Sequence, residues 1–403
     1  MLAGRNFHPV SVRNFALCAL IGLIAFTADS QAQKEAPRKK DAKAKPSPYN
    51  QLKAGESPAE ETATYFGGEL IVLDRINRTG QFRLDRTDNQ NRGNWDLPLI
   101  FTMLPYGCIV YHGAPAELRD IPLGTHLHGL FYWDDAIAQS PRTKELLNER
   151  RIAANEYGFH WVLRFEDDFS YFRRQKRAWR VDAIDLEKKT LTATGIGLDG
   201  KNPDKMASVF QIPDATRVWK GNGFGSLADL KEGALVLINF TYRTMKLSGR
   251  CTDIWIDAES QARAAARQLE VHRLYQRDHG LAGWVEKVDD VARTMTVTLF
   301  EGFDPKLKED FGQKVTIKDM VVPPLVRVAV AEESLRTYDP INDTKMAPIL
   351  EMKSVPVVPG SSGWQITCRP DLMLEGFRTR RIVRLYAGIW GVVDLPREEK
   401  LFP

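Results

Sequence analysis

Cysteine is scarce in these 403 residues, apolar runs long enough to cross a bilayer are missing, and no familiar catalytic signature occurs. Of the four cysteines, Cys18 falls in an N-terminal apolar stretch, which leaves Cys108, Cys251 and Cys368 for the folded body. An odd number at unrelated spacings is no disulfide framework, and without a Cys-x-x-Cys pair there is no zinc-ribbon or thioredoxin-like signal. Buried free thiols with at most one bridge are expected. There is no Gly-x-Ser-x-Gly, no His-Glu-x-x-His and no Walker-type loop. The glycines of Gly221-Asn-Gly223-Phe-Gly225 precede a corner and another strand, whereas a dinucleotide site needs a long helix opening directly from its loop. That segment reads as a turn.

Positive charge is missing from the folded body as well. Residues 1–32 carry a net +1 and residues 33–45 a net +4, so a whole-chain charge of +4 leaves the remainder close to neutral. A nucleic-acid binder shows its positive charge on the folded domain, which makes nucleic acid an unlikely partner.

The first sixty residues differ from the rest. Arg5 and Arg13 precede the apolar run Phe15–Phe26, and small residues follow, with Ser30 and Ala32 before Gln33. A charged start, a short apolar core and a small-residue exit read as a secretory signal peptide over residues 1–32. The run is well short of the roughly 20 residues a spanning helix needs, so the mature chain is expected to have no transmembrane segment and to be secreted or periplasmic. Residues 33–64 are rich in Lys, Ala, Pro and Glu, with little to bury against the entropy of ordering, and read as a disordered linker.

What the chain has in abundance is repetition. Leu73-Asp74-x-x-x-Arg78-Thr79, Ile184-Asp185-x-x-x-Lys189-Thr190 and Val288-Asp289-x-x-x-Arg293-Thr294 share one spacing, each beside β-type residues. An apolar strand ending in Asp, a polar loop and a Thr-initiated strand make a hairpin. Hairpin chemistry alone accounts for the three aspartates as turn formers. Further on, Val110-Tyr111-His112-Gly113 answers Val218-Trp219-Lys220-Gly221, and Leu118-x-Asp120-Ile121-x-x-Gly124 answers Leu227-x-Asp229-Leu230-x-x-Gly233. In the third copy, Leu374-Glu375-Gly376 followed by Arg381–Tyr386 is the expected echo of that corner and its strand. Recurrence of apolar positions, turn residues and order points to one structural unit used more than once.

The fold expected is mainly β: three tandem small β-barrel, OB-like domains joined by α-helical linkers, since closure removes exposed strand edges. The repeats fall at 65–138, 174–257 and 281–403, the third with a Pro-rich insertion. Residues 139–173 form a helical linker and strand, with a helix over Pro141–Asn155, and residues 258–280 form a connecting helix over Ala258–Arg277 stopped by Gly280. The hairpin and glycine-corner pattern resembles the small OB-like β-barrel domains of uncharacterised secreted bacterial proteins. The resemblance implies a fold and an extracytoplasmic setting and carries over no catalytic residue.

Two stretches could carry chemistry. In His126-Leu127-His128 the imidazoles lie two residues apart on a strand and share a face. With Asp134 and Asp135 close behind and His112 on a neighbouring strand, they would suit a divalent transition metal. Leu235 and Leu237 fill the matching places of the second copy, so the scaffold itself does not require histidine there. The competing account places His126 and His128 on a partly buried or interdomain surface. The second stretch, Phe165–Trp179, sets Glu166, Asp167 and Asp168 beside Phe169, Tyr171, Phe172, Arg173 and Arg174. Its carboxylates could act as acid and base or hold Ca²⁺, and its aromatic and basic residues could stack on bases or sugars. As plain structure it reads as an interdomain strand with a polar turn. The function expected is a non-catalytic binding or structural role with an envelope protein or polymer as partner. A metal-dependent hydrolase using His126 and His128, and a single-stranded nucleic-acid or glycan binder using the OB-like faces, stay open as alternatives.

Overall fold

In the computed structural model the chain is described over residues 49–50, 55–85, 98–134, 160–241, 249–396 and 399. The expected signal peptide, most of the linker and the helix expected at Pro141–Asn155 lie outside the described residues. The first module contains β1 (Tyr49–Asn50), β2 (Thr64–Asp74), β3 (Thr79–Leu84), β4 (Leu99–Tyr111), β5 (Ala114–Ala116), β6 (His126–Asp134) and β7 (His160–Asp167). A short helix, α1 (Asp168–Arg174), leads into the second module: β8 (Arg177–Asp185), β9 (Thr190–Gly197), β10 (Ser208–Gln211), β11 (Arg217–Lys220), β12 (Gly223–Phe224), β13 (Leu235–Phe240) and β14 (Cys251–Trp255). The long helix α2 (Ala258–His279) precedes the third. That module holds β15 (Leu281–Asp289), β16 (Thr294–Phe300), α3 (Leu307–Phe311), β17 (Val315–Ile317), β18 (Met320–Val322), β19 (Leu325–Val330), α4 (Pro340–Asp343), β20 (Thr344–Ser354), β21 (Ser361–Cys368) and β22 (Ile382–Ala387).

Each module opens with the same hairpin, built by the same residues. Asp74, Asp185 and Asp289 pair with Thr79, Thr190 and Thr294 at the strand ends. Their carboxylates accept loop N–H groups: Asp74 from Ile76 and Asn77, Asp185 from Lys188, Asp289 from Val291 and Ala292. The residue before each Thr is left-handed, with φ of 51° at Arg78, 52° at Lys189 and 53° at Arg293. A register shift falls at one offset in all three, between Leu70 and Val72, Val181 and Ala183, and Val285 and Lys287. One extra residue there bends and twists the strand, the curvature a small barrel needs to close.

The corner recurs with equal fidelity. Capping boxes at Glu117/Asp120 and Ser226/Asp229 start the two 3₁₀ turns. Gly124 and Gly233 then donate their N–H to Leu70 and Val181, both four residues before the hairpin Asp. In the third module the residue donating to the matching carbonyl, that of Val285, is Arg380. The expected echo at Gly376 is therefore displaced: Gly376 lies within a 3₁₀ turn, and Arg380 takes the left-handed position at φ 69°. Sequence matching favoured the glycine, but the backbone bond selects the arginine.

Closure differs among the copies. In the first, β6, β2, β3, β4 and β7 hydrogen-bond in a closed ring, with β4 and β7 parallel. Because β7 ends at Asp167, this barrel extends beyond the 65–138 boundary. The third barrel is closed and antiparallel throughout, in the order β15-β16-β21-β20-β19-β22. Two of its strands, β19 and β20, come from the expected Pro-rich insertion. Pro323 and Pro324 stand before β19 and Pro340 at the first position of α4, where a missing N–H breaks least, while Pro348 lies within β20 opposite Leu325. The second module is a seven-stranded sheet, β10-β9-β8-β13-β14-β11-β12, whose β10 and β14 sides meet, among the described residues, at the isolated Gln211–Arg250 bridge. Where the first module has one unbroken β4, here the chain divides into β10 and β11 around Ile212-Pro213. The molecule is thus mainly β with two closed small barrels.

Each module has its own apolar core, centred on Phe82, Phe101 and Phe165 in the first, Phe210 and Phe240 in the second, and Phe311, Ile366 and Phe377 in the third. Two further clusters join modules. Leu104, Tyr106, Tyr132 and Leu163 of the first meet Trp284, Phe300 and Ile382 of the third. Phe169 of α1 meets Ala178, Leu237 and Trp255 of the second. Residues 55–64, inside the stretch expected to be linker, follow this surface: Tyr132 Oη donates to the carbonyls of Pro58 and Ala59, and Arg164 pairs with Glu60. Cys108, Cys251 and Cys368 are buried free thiols, and burial pushes the Cys368 thiol up to about 12. Among the described residues no helix is long and apolar enough to cross a membrane.

The corner yields a stability test. A Cβ on Gly233 has open space around it, so Gly233→Ala strains only the backbone at φ 82°. It should lower unfolding stability by about 1 kcal/mol, while Arg380→Gly should raise it by up to about 1 kcal/mol. Urea unfolding of the two variants checks both signs.

Candidate functional site

The densest polar cluster lies where β6 of the first barrel meets α1 and β13. His126 and His128 point to one side of β6, as their spacing requires. His126 donates from Nδ1 to Asp168 Oδ1 at 2.8 Å and from Nε2 to Asp85 Oδ2 at 2.8 Å. His128 donates from Nε2 to the same Asp168 Oδ1 at 3.0 Å, and its Nδ1 accepts from Tyr65 Oη at 2.6 Å. Tyr171 stacks on the His128 ring at 3.7 Å, nearly parallel. The other Asp168 oxygen, Oδ2, accepts the backbone N–H of Phe240 at 3.1 Å. His126 is 1% exposed and Asp168 fully buried.

A buried imidazole ordinarily loses its proton. Burial lowers the His126 pKa, but Asp168 and Asp85 outweigh it and lift the group to about 9 from the ordinary 6.5. Burial likewise favours the neutral acid at Asp168, yet His126 and His128 hold its carboxyl well below the usual range. The Tyr65 phenol is pushed up by burial and by the nearby Tyr171, Asp85 and Asp168. The cluster is a buried imidazolium held between two carboxylates. Gly67 makes room for it, because a Cβ there would stand 2.9 Å from Asp85 Oδ2.

Asp167, next to Asp168, caps α1. It accepts Ser170 N at 2.9 Å, His112 N at 3.2 Å and Asn239 Nδ2 at 2.8 Å, while Asn239 Oδ1 accepts Phe169 N at 2.8 Å. Burial raises its pKa against these bonds. Glu166 takes a two-pronged grip from Arg174, Nε to Oε1 at 2.7 Å and Nη2 to Oε2 at 2.6 Å. The three carboxylates are thereby engaged in separate tasks. Phe165–Trp179 is not one interdomain strand: it is the end of β7, the helix α1 and the start of β8. Helical spacing buries Phe169 against His112 and Trp255, so it offers no face for a base or sugar. Tyr171 is spent on His128 and Arg174 on Glu166, and Arg173 is exposed. The side chain of Asp134 lies outside the described residues.

For a metal, His126, His128 and Asp168 present ligand atoms within 4.8 Å of one another. A cation there would have to displace the proton of His126 and break the bonds to Asp85 and Tyr65. The donor set fits a divalent transition metal in type; its hydrogen bonding fits a salt-bridged hinge between modules.

A cleft of about 350 Å³ opens on the other side of α1's neighbours, between the β4–β5 turn, the β11–β12 hairpin and α2. Tyr111, Trp219 and Trp255 supply aromatic walls, with Arg217, Arg263 and Arg267 around them. Arg217 and the Trp219 indole are both tied to Asp253. His112 lines the cleft with its Nε2 buried and making no hydrogen bond, and burial lowers its pKa so that the ring is neutral. Compared with protein-family models, with curated proteins and with solved structures, the chain matches none of them.

Sequence reading found the two histidines but not Asp85 and Tyr65, which lie 41 and 63 positions from the imidazoles they bond, nor Asn239, which bonds Asp167 and the Phe169 backbone 72 and 70 positions away. One signal was available: Asp167-x-x-Ser170 and Asp257-x-x-Ser260 both cap the helix after a module's closing strand.

Because the folded pKa of His126 lies above its unfolded value, the stability it contributes is fully present below about pH 6.5 and is lost as pH rises through about 9. The difference corresponds to roughly 3 kcal/mol. Thermal melts of wild type and His126→Leu should therefore differ most near pH 6 and converge above pH ~9. Zn²⁺ should leave the wild-type melting temperature unchanged; a rise that disappears in His126→Ala/His128→Ala would establish a metal centre instead.

Proposed function

We propose that this chain is a secreted or periplasmic, non-catalytic binding protein built from repeated OB-like β modules, and that its partner is an anionic glycan of the cell envelope. The observation that carries the reading is the cleft between the first two modules. Trp219, half-buried, supplies the reachable aromatic wall, with the buried Tyr111 and Trp255 behind it, and with arginines at the rim it combines apolar stacking area with a few polar contacts. Trp219 stacks at 4.5 Å on Phe224, which is 70% exposed at the hairpin tip, so the aromatic surface continues outward. Sugar rings present apolar C–H faces to such walls, and carboxylates or phosphates on the polymer would meet Arg263 and Arg267. A non-catalytic role is supported by the carboxylates of Asp167, Asp168 and Glu166, each hydrogen-bonded into the module junction and none turned into this cleft. The hydrolase reading would instead draw on His126, His128 and Asp168, and it requires a cation able to displace the shared proton.

The test is titration with a uronic-acid oligosaccharide beside a neutral one of equal length. The acidic ligand should bind more tightly, with affinity falling as salt rises. Phe224→Ala should weaken it by up to about tenfold, and Arg263→Ala/Arg267→Ala should flatten the salt dependence without changing the melting temperature. Equal affinity for both ligands, or none for either, removes the proposal.

A further inference from the structure

A second cleft, of about 340 Å³, lies on the third barrel. One wall is the outer face of two paired strands. Along β19 and β22 alternate residues share that face, which sets Arg327 and Ala329 beside Arg384 and Tyr386. Arg327 and Tyr386 are direct cross-strand partners, and the guanidinium stacks 4.1 Å from the ring centre. The opposite wall is the 336–344 segment, carrying Arg336, Tyr338 and Thr344, with Val392, Val393 and Leu395 closing one side. Arg384 is the register equivalent of His128 in the first barrel, so the face that holds the imidazole cluster there holds guanidinium groups here.

The wall is rigid. Asp343, 3% exposed, accepts Thr337 N, Thr337 Oγ1 and Tyr338 N at 2.8 Å each, which fixes the left-handed turn at Tyr338. The Asp343 oxygen that accepts Tyr338 N also forms an ion pair with Arg336, whose Nε stands 3.9 Å away, beyond hydrogen-bond reach. The Nε–H groups of Arg327 and Arg336 are buried without a hydrogen-bond partner. Arg384 donates to the His279 carbonyl at 3.0 Å. Asp278 and the exposed Asp394 also line the cleft. Burial lowers the pKa of Arg327 and of Arg336, the latter with help from Arg384. Among the described residues Arg327 has no carboxylate partner, and a half-buried guanidinium without one is costly unless an anion satisfies it.

We propose that this cleft binds a small organic oxyanion, with Arg327 and Arg336 gripping its phosphate or carboxylate and Tyr386, Val392 and Val393 packing against its apolar body. Arg is suited to this because its planar fork matches both oxyanions. The site is independent of the glycan cleft and of the reading given to it.

Calorimetric titration of the full mature chain with inorganic phosphate, glycerol phosphate and acetate tests the proposal and separates the two anion sources. One-to-one binding of at least one anion is expected, with glycerol phosphate above inorganic phosphate if the apolar wall contributes. Arg327→Gln should weaken binding by about tenfold or more. Arg327→Lys keeps the charge without the fork and should give a partial loss, and Phe224→Ala should leave anion binding unchanged. Should Arg327→Gln fail to fold, Arg327→Lys with Val393→Glu, at the exposed wall, provides the reading. No heat with any of the three anions, or equal affinity in wild type and both Arg327 variants, overturns the assignment.

Discussion

One carboxylate, Asp168, joins the first module to the second. It accepts from two imidazoles on β6 through one oxygen and from the Phe240 backbone through the other. Burying an ion is unfavourable unless its lone pairs are occupied and a counter-charge is at hand, and here both conditions are met within 3.1 Å. Removing either partner leaves a charge stranded in a dry interface. The imidazolium at His126, shared with Asp85, is what makes Asp168 tolerable at full burial. Asp167 and Asn239, immediately beside it, tie α1 to the same strand by further hydrogen bonds.

The three modules share the opening hairpin and the strand that returns to pair with it, and they differ in what they place on one outward face of that strand, β6, β13 or β22. His126 and His128, Leu235 and Leu237, and Ile382 and Arg384 occupy equivalent register positions. In the first module the face carries a charge network against α1. In the second, Leu237 packs with Phe169 and Trp255. In the third, Ile382 joins the apolar contact with the first module, while Arg384 turns into the arginine cleft. A barrel wall so used is buried on both sides, which explains why the modules lie against each other through that strand. Ligand-sized space is found where a helix or loop bridges two modules, as in the aromatic cleft beside α2, and where an added segment overhangs one barrel, as at residues 336–344.

Local chemistry wrote the hairpins plainly. Asp, a short loop, a basic residue and Thr recur at one spacing because an Asx-type turn, a left-handed residue and a strand start each demand their own residue type. Those demands are satisfied within six residues, so they are visible in the chain. The third corner was misplaced by sequence because a left-handed residue there is an arginine, whose strain the surrounding bonds sustain. Closure was less legible still: β7 completes the first barrel by parallel pairing with β4, and such long-range pairing leaves little local signature.

From the amino-acid order alone follow the mainly β character, the three-fold recurrence, the turn aspartates and the shared face of His126 and His128, since each depends on periodicity or on neighbours a few residues apart. Only the tertiary structure decided that those histidines meet Asp85 and Asp168, that Phe169 is buried, and that Arg327, Arg336 and Arg384 converge. These depend on which faces of separate modules come together, and that packing then determines whether a charged side chain is solvated or paired.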